Sequence, residues 1–199
     1  MICSFLMVGD QPWAPAMVRS VRRVHSCHIV QMSDLKTPEV PGVDEVVRLP
    51  FRIPLMLYRL KHLASFPHDE MLILDADVVA KAPIDDILSE DWDVALTKRP
   101  MEEAFGMPYN TGVMISRSRT FWVEALEWLN DAPKTLHDWY GDQTAVARIA
   151  ATGRHRIKEL SCAEFNWSPN SRRDTSDARF WHYKGLTRKK WLGELCAGL

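Results

Sequence analysis

The sequence predicts an α/β fold with a mostly parallel sheet. Short apolar runs alternate with segments of helical spacing through the first half of the chain, as strand–helix units require. The clearest of these runs, Met71-Leu72-Ile73-Leu74, leads straight into Asp75-Ala76-Asp77, which places carboxylates at a strand's carboxyl end, where ligands of such sheets gather. At 199 residues, 46% hydrophobic and 26% charged, the chain is long enough to bury a real core and too apolar to be disordered. No apolar run approaches the roughly 20 residues that span a bilayer.

The elements follow in order. Ile2 to Val8 is an apolar run closed by Gly9-Asp10, a buried strand. Pro12 and Pro15 suit a loop and the first turn of a helix that carries Met17, Val18, Val21 and Val24. His28 to Met32 is a second strand closed by Ser33-Asp34, and Val43 to Leu49 a weaker third. Leu57, Leu60 and Leu63 recur at helical spacing within Pro54 to Phe66. After Met71 to Leu74 come strands at Trp92 to Thr97 and Gly112 to Ser116. A helix from Arg119 to Asn130 then groups Phe121, Trp122, Ala125, Trp128 and Leu129 near one face. Asp142 is a candidate cap for a short helix running to Ala151. Beyond it the pattern is less regular.

The net charge of −1 conceals unequal segments. Between Asp69 and Glu103 stand eleven acidic residues against three basic ones, and between Arg154 and Trp191 ten Lys or Arg against four acids. The near-zero total disfavours a broad nucleic-acid surface, while the division suits a cation held in one segment and an anion in the other. Asp75 and Asp77 are the cation candidates. Two carboxylates this close raise each other's pKa, and a hard divalent ion with oxygen ligands removes that cost. Asp91-Trp92-Asp93 matches the same pattern but follows a helix end and simply enters a strand.

Asp75-Ala76-Asp77-Val78-Val79 also fits the strand-end motif of haloacid-dehalogenase-type phosphatases. In that family the motif lies near the N-terminus and is followed by a later acidic pair; here 74 residues precede it, and Val146 stands where the second acid belongs. A fuller match lies elsewhere. Leu57-Tyr58-Arg59-Leu60, Met71 to Val78, Pro83 to Leu88, Tyr109-Asn110-Thr111-Gly112-Val113, Gly141-Asp142-Gln143, Phe165-Asn166-Trp167 and His182-Tyr183-Lys184-Gly185 stand in the order of the motifs of another family. In this the chain resembles the GT-A glycosyltransferases, most closely family 8, over nearly its whole length.

That resemblance implies one GT-A domain over 1–199, a Rossmann-like mixed sheet flanked by helices, and retaining transfer from a nucleotide-diphosphate sugar, a UDP-sugar, to an acceptor it does not identify. It implies Asp75, Asp77 and His182 as ligands of Mn²⁺ or Mg²⁺, although His182 also reads as a packed neighbour of Trp181 and Tyr183. Asp10 falls where the family holds the base, with Trp13 either stacked on it or in the core. Arg59 reaches the donor or is a solvated helix residue. Asn110, Asp142 and Gln143 line the transferred sugar, while Asn110 also suits a turn and Asp142 a cap. After Gly185 the family's phosphate-binding lysine matches Arg188 by spacing, with Lys189 and Lys190 adjacent, so the phosphate ligand stays open among the three. A catalytically silent nucleotide-sugar-binding module is the alternative. Cys3, Cys27, Cys162 and Cys196 form no CxxC pair, and the N-terminus lacks the basic start of a secretory signal; free thiols and a cytoplasmic protein are expected.

Overall fold

The computed structural model describes residues 1–51, 53–67, 70–100, 106–137 and 139–197, and the side chains of these except 195–197. Its main sheet has seven strands in the order β3-β2-β1-β4-β7-β6-β8. They are β1 (Ile2–Met7), β2 (His28–Ser33), β3 (Glu45–Arg48), β4 (Met71–Asp75), β6 (Val94–Lys98), β7 (Tyr109–Ser116) and β8 (Ile157–Ser161). All neighbours pair parallel except at β7, which runs antiparallel to both β4 and β6. The sheet is therefore mixed, and mostly parallel.

Side-chain alternation along the strands divides the core in two. Cys3, Phe5, Leu72 and Leu74 face α1 (Ala14–Val24) through Met17, Val18 and Val21. Met71, Ile73, Val30 and Met32 face α2 (Leu55–Ser65), α4 (Arg119–Asp131) and α5 (Gly141–Ala150), where Leu60, Leu63, Trp122 and Val146 fill the layer. Burial on both faces is why β4 reads as an unbroken apolar run. The Ser118 hydroxyl caps α4 by accepting from the Phe121 N–H. Trp92 and Trp122 are buried, Trp128 is half-buried and Trp139 is exposed, so the tryptophans serve chiefly as core.

β8, α6 (Cys162–Phe165) and a separate two-stranded sheet of β5 (Val78–Ala80) with β9 (Phe180–His182) are not among the elements expected from sequence, while α3 (Asp85–Leu88) is the helix whose end precedes Asp91. The last helix, α7 (Gly185–Ala197), follows β9 directly. The expected strand at Gly112 to Ser116 begins earlier, at Tyr109. The reason is a bulge. Opposite Leu96 and Thr97 of β6, the β7 partners jump from Met114 to Asn110, so residues 111–113 stand out of register. Asp142 lies inside the first turn, with Tyr140 at the cap position; its Oδ1 still accepts from the Gln143 N–H at 2.8 Å, while Oδ2 turns to a buried arginine. Asp91 and Asp93 are ion-paired to Arg156 at the start of β6, away from the Asp75 end of the sheet. Cys3, Cys27 and Cys162 are reduced, while the side chain of Cys196 lies outside the described residues.

Candidate active site

A cavity of ≈ 570 Å³ opens at the carboxyl ends of β1, β4 and β6 and the amino end of β7. Gln11 follows β1, Asp75, Ala76 and Asp77 end β4, Arg99 follows β6, and Asn110 and Thr111 begin β7. The reversed direction of β7 is what brings its first residues to the edge where the parallel strands end.

Two elements converge on the carboxylates. β5 leaves Asp77 and pairs antiparallel with β9 in a register that sets Val78 opposite His182, and the Tyr183 N–H donates to the Asp77 carbonyl at 3.0 Å. His182 Nε2 consequently lies 3.1 Å from Asp77 Oδ1 and 3.5 Å from Asp75 Oδ2. One ligand atom from each of the three residues falls within 4.8 Å of the others. A relay fixes the imidazole. The Gly112 N–H donates to Asn110 Oδ1 at 2.9 Å, the Asn166 amide donates to the same oxygen at 2.6 Å, and Asn166 Oδ1 accepts from His182 Nδ1 at 2.8 Å. The backbone N–H can only donate, so each amide orientation follows from the one before it, and Nε2 is left facing the carboxylates. Two carboxylates and an imidazole facing one another call for positive charge, and as oxygen and nitrogen donors they suit a divalent ion such as Mn²⁺.

Positive charge already gathers there. Lys189 Nζ sits 3.0 Å from Asp77 Oδ2 and 5.0 Å from the centre of the Trp13 ring. Burial pushes the Asp77 carboxyl up, but His182 and Lys189 outweigh it and hold the group at about 2.

Behind Asp75 lies a buried ion network. Arg59, 5% exposed, is 2.9 Å from Asp75 Oδ1 and 2.8 Å from Asp142 Oδ2, and it donates to the Thr111 hydroxyl and carbonyl. Thr111 also donates to Asp142 at 2.9 Å. Burial lowers the Arg59 pKa, but Asp75 and Asp142 outweigh it and hold the pKa above the ordinary value. Burial likewise pushes the Asp142 carboxyl up, and the guanidinium is what makes a charge tolerable there. Next to it, Gln143 Oε1 accepts from Arg99, which also donates to the carbonyls of Met107 and Tyr109.

Most of the residues expected from sequence meet in this cavity: Arg59, Asp75, Asp77, Asn110, Asp142, Gln143, His182, Gly185 and Lys189 all line it. Asp10 is exposed and outside the lining, where its neighbour Gln11 stands. Arg188 is outside it as well, donating to the carbonyls of Pro169 and Lys184. Trp13 joins its packing cluster with Ala16 and Trp181 and touches the lining through Lys189 and through Gln11, whose side-chain oxygen accepts from its indole N–H at 3.2 Å. Arg99, Thr111 and Lys184 were not singled out in the sequence. Arg99 offered one signal, a charged residue just past a strand's carboxyl end; Lys184 sits inside the late histidine motif. Burial lowers the Lys184 pKa. Trp139, Tyr140 and Leu186 stand exposed at the mouth.

No protein-family model matches the sequence, and neither does any curated protein. Solved structures do match in fold. A galactosyltransferase LgtC, crystallised with donor and acceptor sugar analogues, superposes with a TM-score of 0.69 at 15% identity, over 100% of this chain and 96% of its own. A glycosyltransferase involved in glycosylation of the major capsid of PBCV-1 gives 0.68 at 17% identity, over 100% of both chains. The glycosyltransferase GlyE of Streptococcus pneumoniae TIGR4 gives 0.65 at 15% identity, over 96% of this chain and 59% of its own. The fold is that of the GT-A glycosyltransferases.

Proposed function

We propose that the chain is a metal-dependent glycosyltransferase of the family 8 kind, moving a sugar from a UDP-sugar to an acceptor with retention of configuration. The convergence of Asp75, Asp77 and His182 in a strand-end cavity of a glycosyltransferase fold carries the reading. These three residues would hold Mn²⁺ or Mg²⁺, which when bound neutralises the diphosphate of the donor. Lys189 and the amino end of α7 at Gly185 add positive charge on the same side, where a leaving diphosphate gains most from it.

Asn110, Asp142 and Gln143 would face the transferred sugar. Asp142 is tied to Arg59 and Thr111, and Gln143 Oε1 accepts from Arg99. These hydrogen bonds hold both oxygens and make them poorer nucleophiles, which supports departure and attack on one face of the sugar, without a covalent sugar–protein step. The single-domain reading of 1–199 and a cytoplasmic location belong to the same proposal. The seven-stranded main sheet, which carries a core on each face, supports the first, and the free Cys3, Cys27 and Cys162 suit the second.

The test is a panel of UDP-sugars with Mn²⁺, followed by donor hydrolysis and thermal midpoint. A midpoint rise and slow metal-dependent hydrolysis are expected for at least one donor, and both should vanish in Asp77→Asn with the fold unchanged. A chain that hydrolyses no UDP-sugar and whose midpoint none of them moves overturns the UDP-sugar transferase reading. Stabilisation by a donor that is never turned over, even with acceptors supplied, would instead identify a nucleotide-sugar-binding module.

A further inference from the structure

The charges lining the cavity are matched unevenly. Arg59 is neutralised by Asp75 and Asp142, and Lys189 by Asp77. Lys184 is different. It lines the same cavity half-buried, and among the described residues no hydrogen bond or ion pair holds its ammonium; Asp75 and Asp77 attract it only through space, and both are already paired, with Arg59 and Lys189. Its backbone is fixed: its N–H donates to the His182 carbonyl at 2.9 Å, and its own carbonyl accepts from Arg188. The side chain therefore leaves from a held point between the metal-ligating histidine and the first turn of α7, a turn with no acidic residue. Arg99 adds a second positive charge to the lining, anchored by the Met107 and Tyr109 carbonyls and by Gln143. An ammonium in a cavity from which two bound sugars expel water loses its hydration, and an anion replaces that loss better than a neutral sugar hydroxyl does.

We propose that one of the two sugars brought together in this cavity is acidic, and that its carboxylate or phosphate pairs with Lys184. This rests on the glycosyl-transfer reading. The acid is a further anion beside the diphosphate, for which a cation held by Asp75, Asp77 and His182, together with Lys189, would be the partners. The acid belongs either to the transferred sugar, as in a uronic acid donor, or to the acceptor.

Calorimetry on the full chain with Mn²⁺ separates these sources. One arm compares UDP-glucuronate with UDP-glucose and UDP-galacturonate with UDP-galactose. The other titrates glucuronate, glucose 6-phosphate and glucose into the UDP-loaded protein. In one arm the acid binds about tenfold more tightly than its neutral counterpart, as a charge-assisted hydrogen bond provides. The preference disappears in Lys184→Gln, persists in Lys184→Arg and weakens as salt is raised. Equal binding of acid and neutral sugars in both arms of the wild-type protein overturns the proposal while UDP binding leaves the transferase reading standing. A loss of UDP affinity in Lys184→Gln that is equal for acid and neutral donors also overturns it, by returning Lys184 to the diphosphate. Absence of UDP binding altogether removes both readings.

Discussion

Gly112 makes room for His182. A Cβ placed on Gly112 would lie 2.3 Å from His182 Cε1, 2.4 Å from Nδ1 and 3.0 Å from Asn110 Oδ1. The neighbours have little room to give, since the imidazole is held between Asn166 and the two carboxylates. Gly112→Ala is expected to swing the ring off Asn166 and weaken Mn²⁺ binding about 10- to 100-fold, the range seen when support around a metal ligand is lost. Circular dichroism should show the fold retained, and Mn²⁺ titration followed by electron paramagnetic resonance reads the affinity. Native-like affinity in the variant would separate Gly112 from the metal site.

Arg59 is the hinge of the buried charge network, and its loss strands two carboxylates. Arg59→Met should destabilise the chain by about 3–5 kcal/mol, the usual cost of breaking a buried ion pair from one side. Adding Asp142→Asn should recover a measurable part, because the second uncompensated charge is then gone. Urea denaturation of the two single variants and the double variant gives the coupling directly. Strict additivity would show that the pair does not act as a unit.

Much of this site was legible because its chemistry is carried by short local patterns. Asp75 and Asp77 follow the most apolar strand of the chain, and a strand buried on both faces announces its end clearly. Asn110, Gly112, Gln143 and His182 stood out through their neighbours in motifs. What stayed hidden depends on contacts between distant segments. Lys189 rather than Arg188 reaches Asp77 because α7 starts directly after β9, and spacing from Gly185 does not reveal which way a helix turns. The pairing of Val78 with His182 joins two three-residue strands, too short for any period to appear. Asp142 reads as a cap in isolation, and only the buried Arg59 explains why its carboxylate turns inward.

His62 gives the fold an acid-sensitive point away from the cavity. It is buried in α2 with its ring edge-on to Tyr58 at 4.7 Å, and burial lowers its pKa from the ordinary 6.5 to about 4. Between those values the unfolded chain binds a proton that the folded chain refuses, so stability is complete above pH 6.5 and falls as pH drops toward 4. The loss attributable to His62 is about 3 kcal/mol. Denaturant titrations at pH 7, 5.5 and 4.5 should show that decline in the wild-type protein and a shallower one in His62→Phe. Parallel slopes for the two proteins would place the acid sensitivity elsewhere.

Lys189 and Arg188 are adjacent on α7 and predict opposite outcomes. Lys189 Nζ is 3.0 Å from Asp77 and inside the cavity lining, whereas Arg188 spends its guanidinium on the carbonyls of Pro169 and Lys184 outside it. Lys189→Ala removes a charge that faces the proposed diphosphate and should weaken UDP binding in the presence of Mn²⁺ by about tenfold or more. Arg188→Ala removes hydrogen bonds that tie α7 to the segment before β9, so its expected signature is a lower thermal midpoint, with UDP affinity within about twofold of wild type. Measuring UDP affinity and midpoint for both variants assigns the phosphate ligand. Should Arg188→Ala prove the weaker UDP binder, the lysine at Asp77 would be a counter-ion for the carboxylate alone, and the diphosphate would have to lie on the other side of α7.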